Sequence, residues 1–592
     1  MPWLGVLLLL AAAERMIALD HVPASMNQDE ACNAWNSWCL LKTGVDQDGK
    51  PWPVFYFHAY GENRSTLFLY LLLPFQWLGG LNNWTMRLPT ATAGLASIAL
   101  IYYVAGQWLG RWYGLLAATL LAWSGWHVQH SRWGHESGIS PLLVLAPLAA
   151  LTASRLVRPF PIEPREVSQN PGNRSTPSWK WALIAGLLFG LSCYGYPAVR
   201  LFLPLLGGLI VAIFPGTWLA QLRSGRGRAA TAALLVGVAI TFGPLLYEHL
   251  AHPTEMLRRG EQSWTWSADD PLFSRGVKVL RRYVEHFSPD FLFWTGDSIR
   301  AQTPPGGGVL EWHFLPLLIA GVLGGFECWR KQAAARLAIL LLLLYPAGDC
   351  TSLHASMHAL RSLPGLPGLV FVSVFGIRWV FTGFAANRPS LRRMITGALM
   401  AIALLLHIRF MYLFFGPYQV ECAGTNTFAP DLVDACRFIK PEFNQLDAVV
   451  VTPTLYNEAY EITLLALEYD PVQWLKDDKT YQRVNVWDVC TSYGKMRFPQ
   501  DFTRSGVLQS LAGLPPAARV ALFGRPGEIR GVYAAHVCSD VIGRPLLEVF
   551  IVPLSELGRL RFDPGMHTQI SSPLPSAPTS RVKPEASSRP RP

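Results

Sequence analysis

The sequence predicts a mostly α-helical, polytopic membrane bundle of about eleven spans with a small C-terminal extracytoplasmic α/β domain. Three observations predict it. The 592 residues are 51% hydrophobic and only 15% charged, whereas soluble domains carry roughly 25% charge. Apolar runs approaching the ~20 residues of a spanning helix recur from the first residues to Phe415. Beyond Phe415 the polarity becomes ordinary and the apolar stretches shorten to strand length. The 12% of aromatic residues excludes a disordered chain. Nine cysteines without a Cys-x-x-Cys pair exclude a disulfide scaffold or a zinc ribbon.

The apolar runs are 2–18, 67–81, 88–109, 112–126, 139–153, 181–193, 201–219, 229–246, 314–326, 337–346, 366–384 and 395–415. The first reads as a span rather than a leader: it has no basic start, and Glu14 and Arg15 interrupt its end. The net charge of +10 points to nucleic acid only in a soluble protein. Here the basic residues gather in alternate loops: Arg155, Arg158, Arg165, Arg174 and Lys180; Arg223, Arg226 and Arg228; Arg330, Lys331 and Arg336; Arg388, Arg392 and Arg393. The positive-inside rule makes those loops cytoplasmic. Loops 20–86, 127–138 and 247–312 are then outside, with the N-terminus inside and the C-terminus outside. Run 67–81, which contains Pro74 and Gln76, has no crossing left to make and reads as an interfacial or re-entrant helix. The alternative is that it spans and the N-terminus lies outside.

The expected domains are a membrane domain over 1–415, an α/β domain over 416–565 and a disordered Pro/Ser/Arg-rich tail over 566–592. Strands are expected at 448–451, 484–487, 520–523 and 546–552, with a helix at 456–467. Cys422, Cys436, Cys490 and Cys538 fall in this domain, and their pairing is open.

Two outer loops carry the chemistry. The first reads Asn27-Gln28-Asp29-Glu30. Carboxylates beside a bilayer are costly unless solvated, paired or functional. Two readings stand: a functional carboxylate, or an acidic pair favoured by a helix N-terminus. The second loop reads His127-Val128-Gln129-His130-Ser131-Arg132-Trp133-Gly134-His135-Glu136. Its histidines and Glu136 form either a metal set or an interfacial, substrate-contacting group. Topology puts Asp29 and Glu136 on one side. Arginines on that side include Arg64, Arg87, Arg132, Arg282, Arg300 and Arg361, against the positive-inside bias. Guanidinium groups match phosphate through paired, charge-assisted hydrogen bonds. For Arg87 and Arg361 structural pairing is the equal alternative.

The ordered set resembles class C polyprenyl-phosphate-dependent glycosyltransferases, above all the bacterial relatives of protein O-mannosyltransferases and of the lipid A aminoarabinose transferase. The set runs from Asp29-Glu30 in the first outer loop, through Arg87-Leu88-Pro89 opening a span, to a second acidic outer loop. His286-Phe287-Ser288-Pro289-Asp290, Arg361-Ser362-Leu363-Pro364 and an extracytoplasmic domain follow. The likeness covers roughly residues 1–415. It implies a helical bundle of that class. It also implies Asp29 as general base, Glu136 as the second acidic site residue, and Arg64, Arg87 and Arg361 at the donor phosphate; from the loops themselves Glu30 is a further catalytic candidate and Arg132 a further phosphate-binding one. His58 and His135 would contact substrate. Arg64-Ser65-Thr66 departs from the Lys-Pro-Pro of the aminoarabinose transferases.

The expected protein is therefore a bacterial inner-membrane glycosyltransferase. It moves a sugar from a polyprenyl-phosphate carrier to an acceptor hydroxyl on a glycan, lipid or protein of the cell envelope, with inversion and with no cofactor or metal. The phosphate leaves as a stable anion and needs cations rather than a strong acid. The hydroxyl needs a base, and partial burial should raise that base's pKa. The alternative is a transporter or flippase of a lipid-linked sugar, which would carry its charges at the midplane and show inverted repeats or broken helices.

Overall fold

The structure, a computed structural model, describes residues 2–157, 176–256, 264–267, 269–352, 357–423, 427–453, 459–484 and 487–563. Arg158, Arg165 and Arg174, the loop arginines Arg258 and Arg259, and the tail 566–592 lie outside the described residues.

The chain up to Phe415 is a bundle of apolar helices. Among the described residues five helices are long and apolar enough to cross a bilayer: Asn83–Leu109, Glu136–Ser154, Gly225–Ala251, Ala359–Thr382 and Pro389–Phe415. The pair Pro197–Ile213 and Pro215–Arg223, bent by 77°, makes a sixth if counted as one span. Shorter apolar helices (Leu67–Gly79, Trp179–Ser192, Phe314–Cys328 and Ala333–Gly348) take up other expected runs. The run at 112–126 is broken at Ser124, whose extended backbone separates helix α5 (Arg111–Trp123) from α6 (Gly125–Ser131). Small residues let helices touch. A Cβ on Gly186 would lie 2.2 Å from the Leu234 carbonyl, and one on Gly237 would lie 2.5 Å from that of Leu183. Only glycine allows the two backbones to approach so closely.

One end of the bundle carries the loop elements. After α1 (Pro2–Met16) comes α2 (Gln28–Thr43), then the two-stranded hairpin β1 (Phe57–Ala59) and β2 (Glu62–Arg64), then α3 (Leu67–Gly79) and α4 (Asn83–Leu109). Helix α6 runs into a 3-10 turn, Glu136–Ile139, which opens α7 (Ser140–Ser154).

After Phe415 the chain builds a mixed seven-stranded sheet, ordered β4-β5-β6-β3-β7-β10-β9. Its centre is parallel, β3 (Ala448–Val451) lying between β6 (Met496–Arg497) and β7 (Arg519–Gly524). Antiparallel strands flank it: β4 (Lys479–Val484) and β5 (Trp487–Tyr493) on one side, β9 (His536–Ser539) and β10 (Pro545–Pro553) on the other. The expected strands at 448–451, 520–523 and 546–552 are present. Of the expected strand at 484–487, Val484 closes β4 and Trp487 opens β5, while 485 and 486 lie outside the described residues. Of the expected helix at 456–467, Ala459–Ala466 is described and helical.

This sheet domain is bolted to the loop end of the bundle. Helix Ala459–Ala466 packs on α2, and Trp474 sets its ring edge-on to Trp35 at 6.2 Å. Trp474 Nε1 donates to the Gln47 carbonyl at 2.8 Å, Asp488 N to that of Tyr60 at 3.2 Å, and Ala429 N to that of Met26 at 3.0 Å.

Candidate active site

The site begins with the start of α2. Asn27 caps it, its side chain accepting from Asp29 N at 2.8 Å, while Glu30 reaches back to Asn27 N at 3.0 Å. This capping box satisfies helix-end donors and turns Glu30 into the protein. Adjacent helix residues point about 100° apart, so Asp29 faces elsewhere, with its side chain 22% exposed.

Glu30 is fully engaged. Its Oε1 accepts from Arg87 Nε at 2.8 Å and Gly134 N at 2.6 Å, and its Oε2 accepts from Arg87 Nη2 at 3.0 Å. Arg87 also donates to the carbonyls of Leu19 at 2.9 Å, Pro23 at 3.1 Å and Ser25. Both side chains are completely buried. The pair ties α2, α4, segment 19–25 and loop 130–138 together, which is the structural alternative for Arg87.

Asp29 pairs with Arg64 of β2. His135 bridges the two loops, its Nε2 being 3.7 Å from Asp29 Oδ2 and 3.7 Å from Glu136 Oε2. Ser137 N donates to His135 Nδ1 at 3.0 Å. Neutral His135 therefore carries its proton on Nε2, facing both carboxylates. Asn33, one turn along α2 from Asp29, donates to Glu136 Oε2 at 2.9 Å. The two acidic loops thus meet. Burial pushes the Asp29 carboxyl up, but Arg64 and His135 outweigh it and hold the pKa below the ordinary 3.8. The sequence expectation of a raised pKa is corrected: the neighbouring cations outweigh the loss of water.

Arg64 is only 4% exposed and lies over the Tyr60 ring at 5.2 Å. Its Nε and Nη1 are buried and have no hydrogen-bond partner among the described residues. Arg200, which sequence reasoning missed, sits in the first turn of Pro197–Ile213. Its Nε donates to the Cys193 carbonyl at 2.8 Å and its Nη2 to Ser65 Oγ at 3.1 Å, which ties a second arginine to the residue that follows Arg64.

Arg361 lies on the short helix Ala359–Ser362, which packs on the Glu136–Ile139 turn, and its Nη1 is a buried donor without a partner among the described residues. The segment is held by carboxylates that sequence reasoning also missed. Asp349 Oδ2 accepts from Arg282 Nη2 at 3.1 Å, His286 Nε2 at 3.1 Å and His358 N at 2.9 Å. Burial raises the Asp349 pKa, but the His286 hydrogen bond and Arg282 bring it below its ordinary value. Asp297 accepts from Ala359 N at 2.8 Å.

Other expected residues lie elsewhere. Arg132 is completely buried and donates to the carbonyls of Glu14 at 2.6 Å, Ile17 at 2.9 Å, Ala18 at 3.2 Å and Val22 at 3.0 Å, closing the end of α1. His58 on β1 sits edge-on to Tyr56. Arg300 pairs with Glu421 at 3.0 Å. Among the described residues His127, His130 and His135 do not gather as a metal set. His127 Nδ1 meets the Arg15 guanidinium at 3.0 Å and His130 Nδ1 the Trp126 carbonyl at 2.9 Å.

No protein-family model matches the chain, and no curated protein does. Solved structures do. ArnT from Cupriavidus metallidurans in the apo state is 11% identical, covering 94% of this chain and 98% of its own, with a TM-score of 0.51. ArnT bound to undecaprenyl phosphate is 14% identical, with coverage of 93% and 98% and a TM-score of 0.49. The archaeal oligosaccharyltransferase AglB from Archaeoglobus fulgidus, in complex with an inhibitory peptide and a dolichol-phosphate, is 12% identical over 79% and 63%, with a TM-score of 0.42. The chain shares the fold of ArnT from Cupriavidus metallidurans.

Proposed function

We propose that the protein transfers a sugar from a polyprenyl-phosphate carrier to an acceptor hydroxyl on the extracytoplasmic face of a bacterial plasma membrane, with Asp29 as the general base. One observation carries this reading. A partly exposed carboxylate is held between a second acidic loop and a buried guanidinium that has two donors to spare.

The chemistry follows from those groups. Arg64 offers N–H donors to the departing phosphate, whose negative charge grows as the sugar–oxygen bond breaks, and Arg361, with a buried donor to spare among the described residues, is a second candidate. Arg64 holds Asp29 ionised until the donor phosphate competes for the guanidinium. That competition weakens the pair and strengthens Asp29 as a base. Asp29 takes the acceptor proton as the hydroxyl attacks opposite the phosphate, so the anomeric centre inverts. Nε2–H of His135 restrains the carboxylates, and Glu136 orients Asn33 and His135. Glu30, Arg87 and Arg132 shape the site without touching substrate. The chain needs no covalent sugar intermediate for this route.

The test uses the purified chain in detergent with a radiolabelled polyprenyl-phosphate sugar and extracts of cell-envelope acceptors. Transfer that is lost in Asp29→Asn supports the reading. Movement of the sugar lipid across proteoliposomes without transfer would overturn it. So would cysteine accessibility placing positions 29 and 136 on opposite sides of the membrane.

A further inference from the structure

A second cluster of chemistry-bearing side chains lies in the sheet domain, away from the residues used above. Strand β9 is the edge strand of the seven-stranded sheet. His536 and Cys538 sit two residues apart on it, opposite Val549 and Leu547 of β10, so they share one face of the sheet. Helix Pro430–Ile439 packs on that face and brings Asp434 to them. Asp434 Oδ2 is 2.8 Å from His536 Nε2. One donor atom from each of the three residues lies within 4.8 Å of the others. Phe438, one turn on from Asp434, stacks on the His536 ring at 4.5 Å and 7° and fixes the imidazole plane. Cys538 is completely buried, while His536 and Asp434 are 31% and 50% exposed, so the cluster is open on one side and closed by sulfur on the other.

We propose that Asp434, His536 and Cys538 bind one divalent transition-metal ion, zinc by preference, which clamps helix Pro430–Ile439 to the edge strand. The donor set decides the class. Imidazole, thiolate and carboxylate together suit a borderline-soft ion, whereas calcium and magnesium take oxygen. Zinc bonds of about 2.0–2.3 Å place neighbouring donors about 3.5 Å apart in a tetrahedron, which the present separations reach by small side-chain rotations. The Asp–His pair accounts for two of the residues, and the Cys538 thiol joins them by a hydrogen bond to Asp434, so three donors already converge on one point. On binding, Cys538 gives up its proton to solvent and the thiolate completes three protein ligands, leaving one position for water or an anionic group. Asp434 also lines a cavity of about 1190 Å³ with Arg437, Val541, Ile542, Phe415 and Asp20. That cavity lies between the sheet domain and the end of the last long helix, and Asp434 is the member of the cluster that reaches it.

The experiment takes the full-length protein in detergent, strips it with a chelator and adds zinc or cobalt(II) alone. The expected result is one ion per chain and, for cobalt, a thiolate charge-transfer band in the near ultraviolet. Cys538→Ser abolishes the band. Asp434→Asn and His536→Ala, both at partly exposed positions, weaken binding at least about tenfold. Asp29→Asn binds the ion as the parent does, which separates this site from the transfer chemistry. Uptake that is equal in Cys538→Ser, absence of the charge-transfer band, or a Cys436–Cys538 disulfide in protein prepared without reductant would each overturn the assignment.

Discussion

Asp29 and Glu30 are chemically alike neighbours, and the structure assigns them opposite fates under substitution. Glu30 accepts four hydrogen bonds, from Arg87 Nε, Arg87 Nη2, Gly134 N and Asn27 N, at 2.6–3.0 Å, with no exposure. Glu30→Ala removes all four and leaves a buried guanidinium without its counter-charge. Breaking one side of a buried ion pair costs ~3–5 kcal/mol. In a chain this long that lowers the apparent Tm by on the order of 5 °C. Asp29→Asn keeps an oxygen for Arg64 to donate to, so the fold is expected to hold within about 2 °C, while transfer falls by ~10²–10⁴ with the loss of the base. The assay pairs thermal unfolding in detergent with initial rates on one preparation of each variant. Glu30→Ala with unchanged Tm, or Asp29→Asn with near-parental transfer, would refute the division of labour between the two carboxylates.

Four further outcomes follow from the same geometry. Arg64→Ala removes the donors aimed at the phosphate, and kcat/KM for the lipid-phosphate donor should fall about 10–100-fold, the worth of one charge-assisted hydrogen bond of ~1.5–3 kcal/mol; unchanged donor kinetics would count against a phosphate role. Arg132→Ala should lower Tm without a selective rise in donor KM, because its partners are four backbone carbonyls of the α1 end; a donor-specific KM effect would reverse that reading. The Asp29 pKa is held below 3.8, so activity rises as pH climbs through that low value and Asp29 gives kcat/KM no acid limb between about pH 5 and 8. Its stabilising ion pair is likewise complete above about pH 4 and is lost as pH falls through the folded value; an acid limb above pH 5 that vanishes in Asp29→Glu would contradict this. Burial raises the pKa of Glu461 well above its ordinary value, so the folded state keeps a proton that the unfolded state releases, and stability falls as pH rises above about 4.5; Glu461→Gln should flatten that slope in pH-dependent unfolding, and an unchanged slope would exclude Glu461 as its source.

The start of α2 was legible in the sequence, because Asn27-x-x-Glu30 is a capping box. That same signal gives Glu30 a capping role beside its reading as a catalytic candidate. Strands β3, β7 and β10 were legible because they are buried and apolar. Strand β4 was not, since nearly all of its residues face solvent at a sheet edge and it has no apolar alternation. The expected strand at 484–487 therefore catches only the described ends of two strands, Val484 of β4 and Trp487 of β5. Arg200 and Asp349 escaped notice for another reason. Arg200 meets Ser65 across 135 residues, and Asp349 meets Arg282 across 67. Periodicity and spacing report on neighbours in the chain, and these partners become neighbours only once the helices pack.

Helix α2 explains why a soluble-looking domain belongs on a membrane bundle. It is polar in composition yet buried along nearly its whole length, from Glu30 to Leu40. Such a helix holds only if its polar groups find partners on every side. The bundle supplies one side: Ser37 Oγ donates to the Leu69 carbonyl at 2.9 Å, and Gln76 Nε2 to that of Ala34 at 2.9 Å. The sheet domain supplies the other, through helix Ala459–Ala466 and the bond from Tyr60 to the buried Glu461. Asp29 is the residue of the first turn left with an open face. A proton acceptor must be held within a few tenths of an ångström of its target to contribute fully, and a lone loop between two spans would not hold it so. The domain therefore acts on the chemistry through the helix it clamps. Loosening that contact, by Trp474→Ala for example, should lower kcat while the donor KM is kept, whereas equal losses in both would make the domain a separate acceptor module.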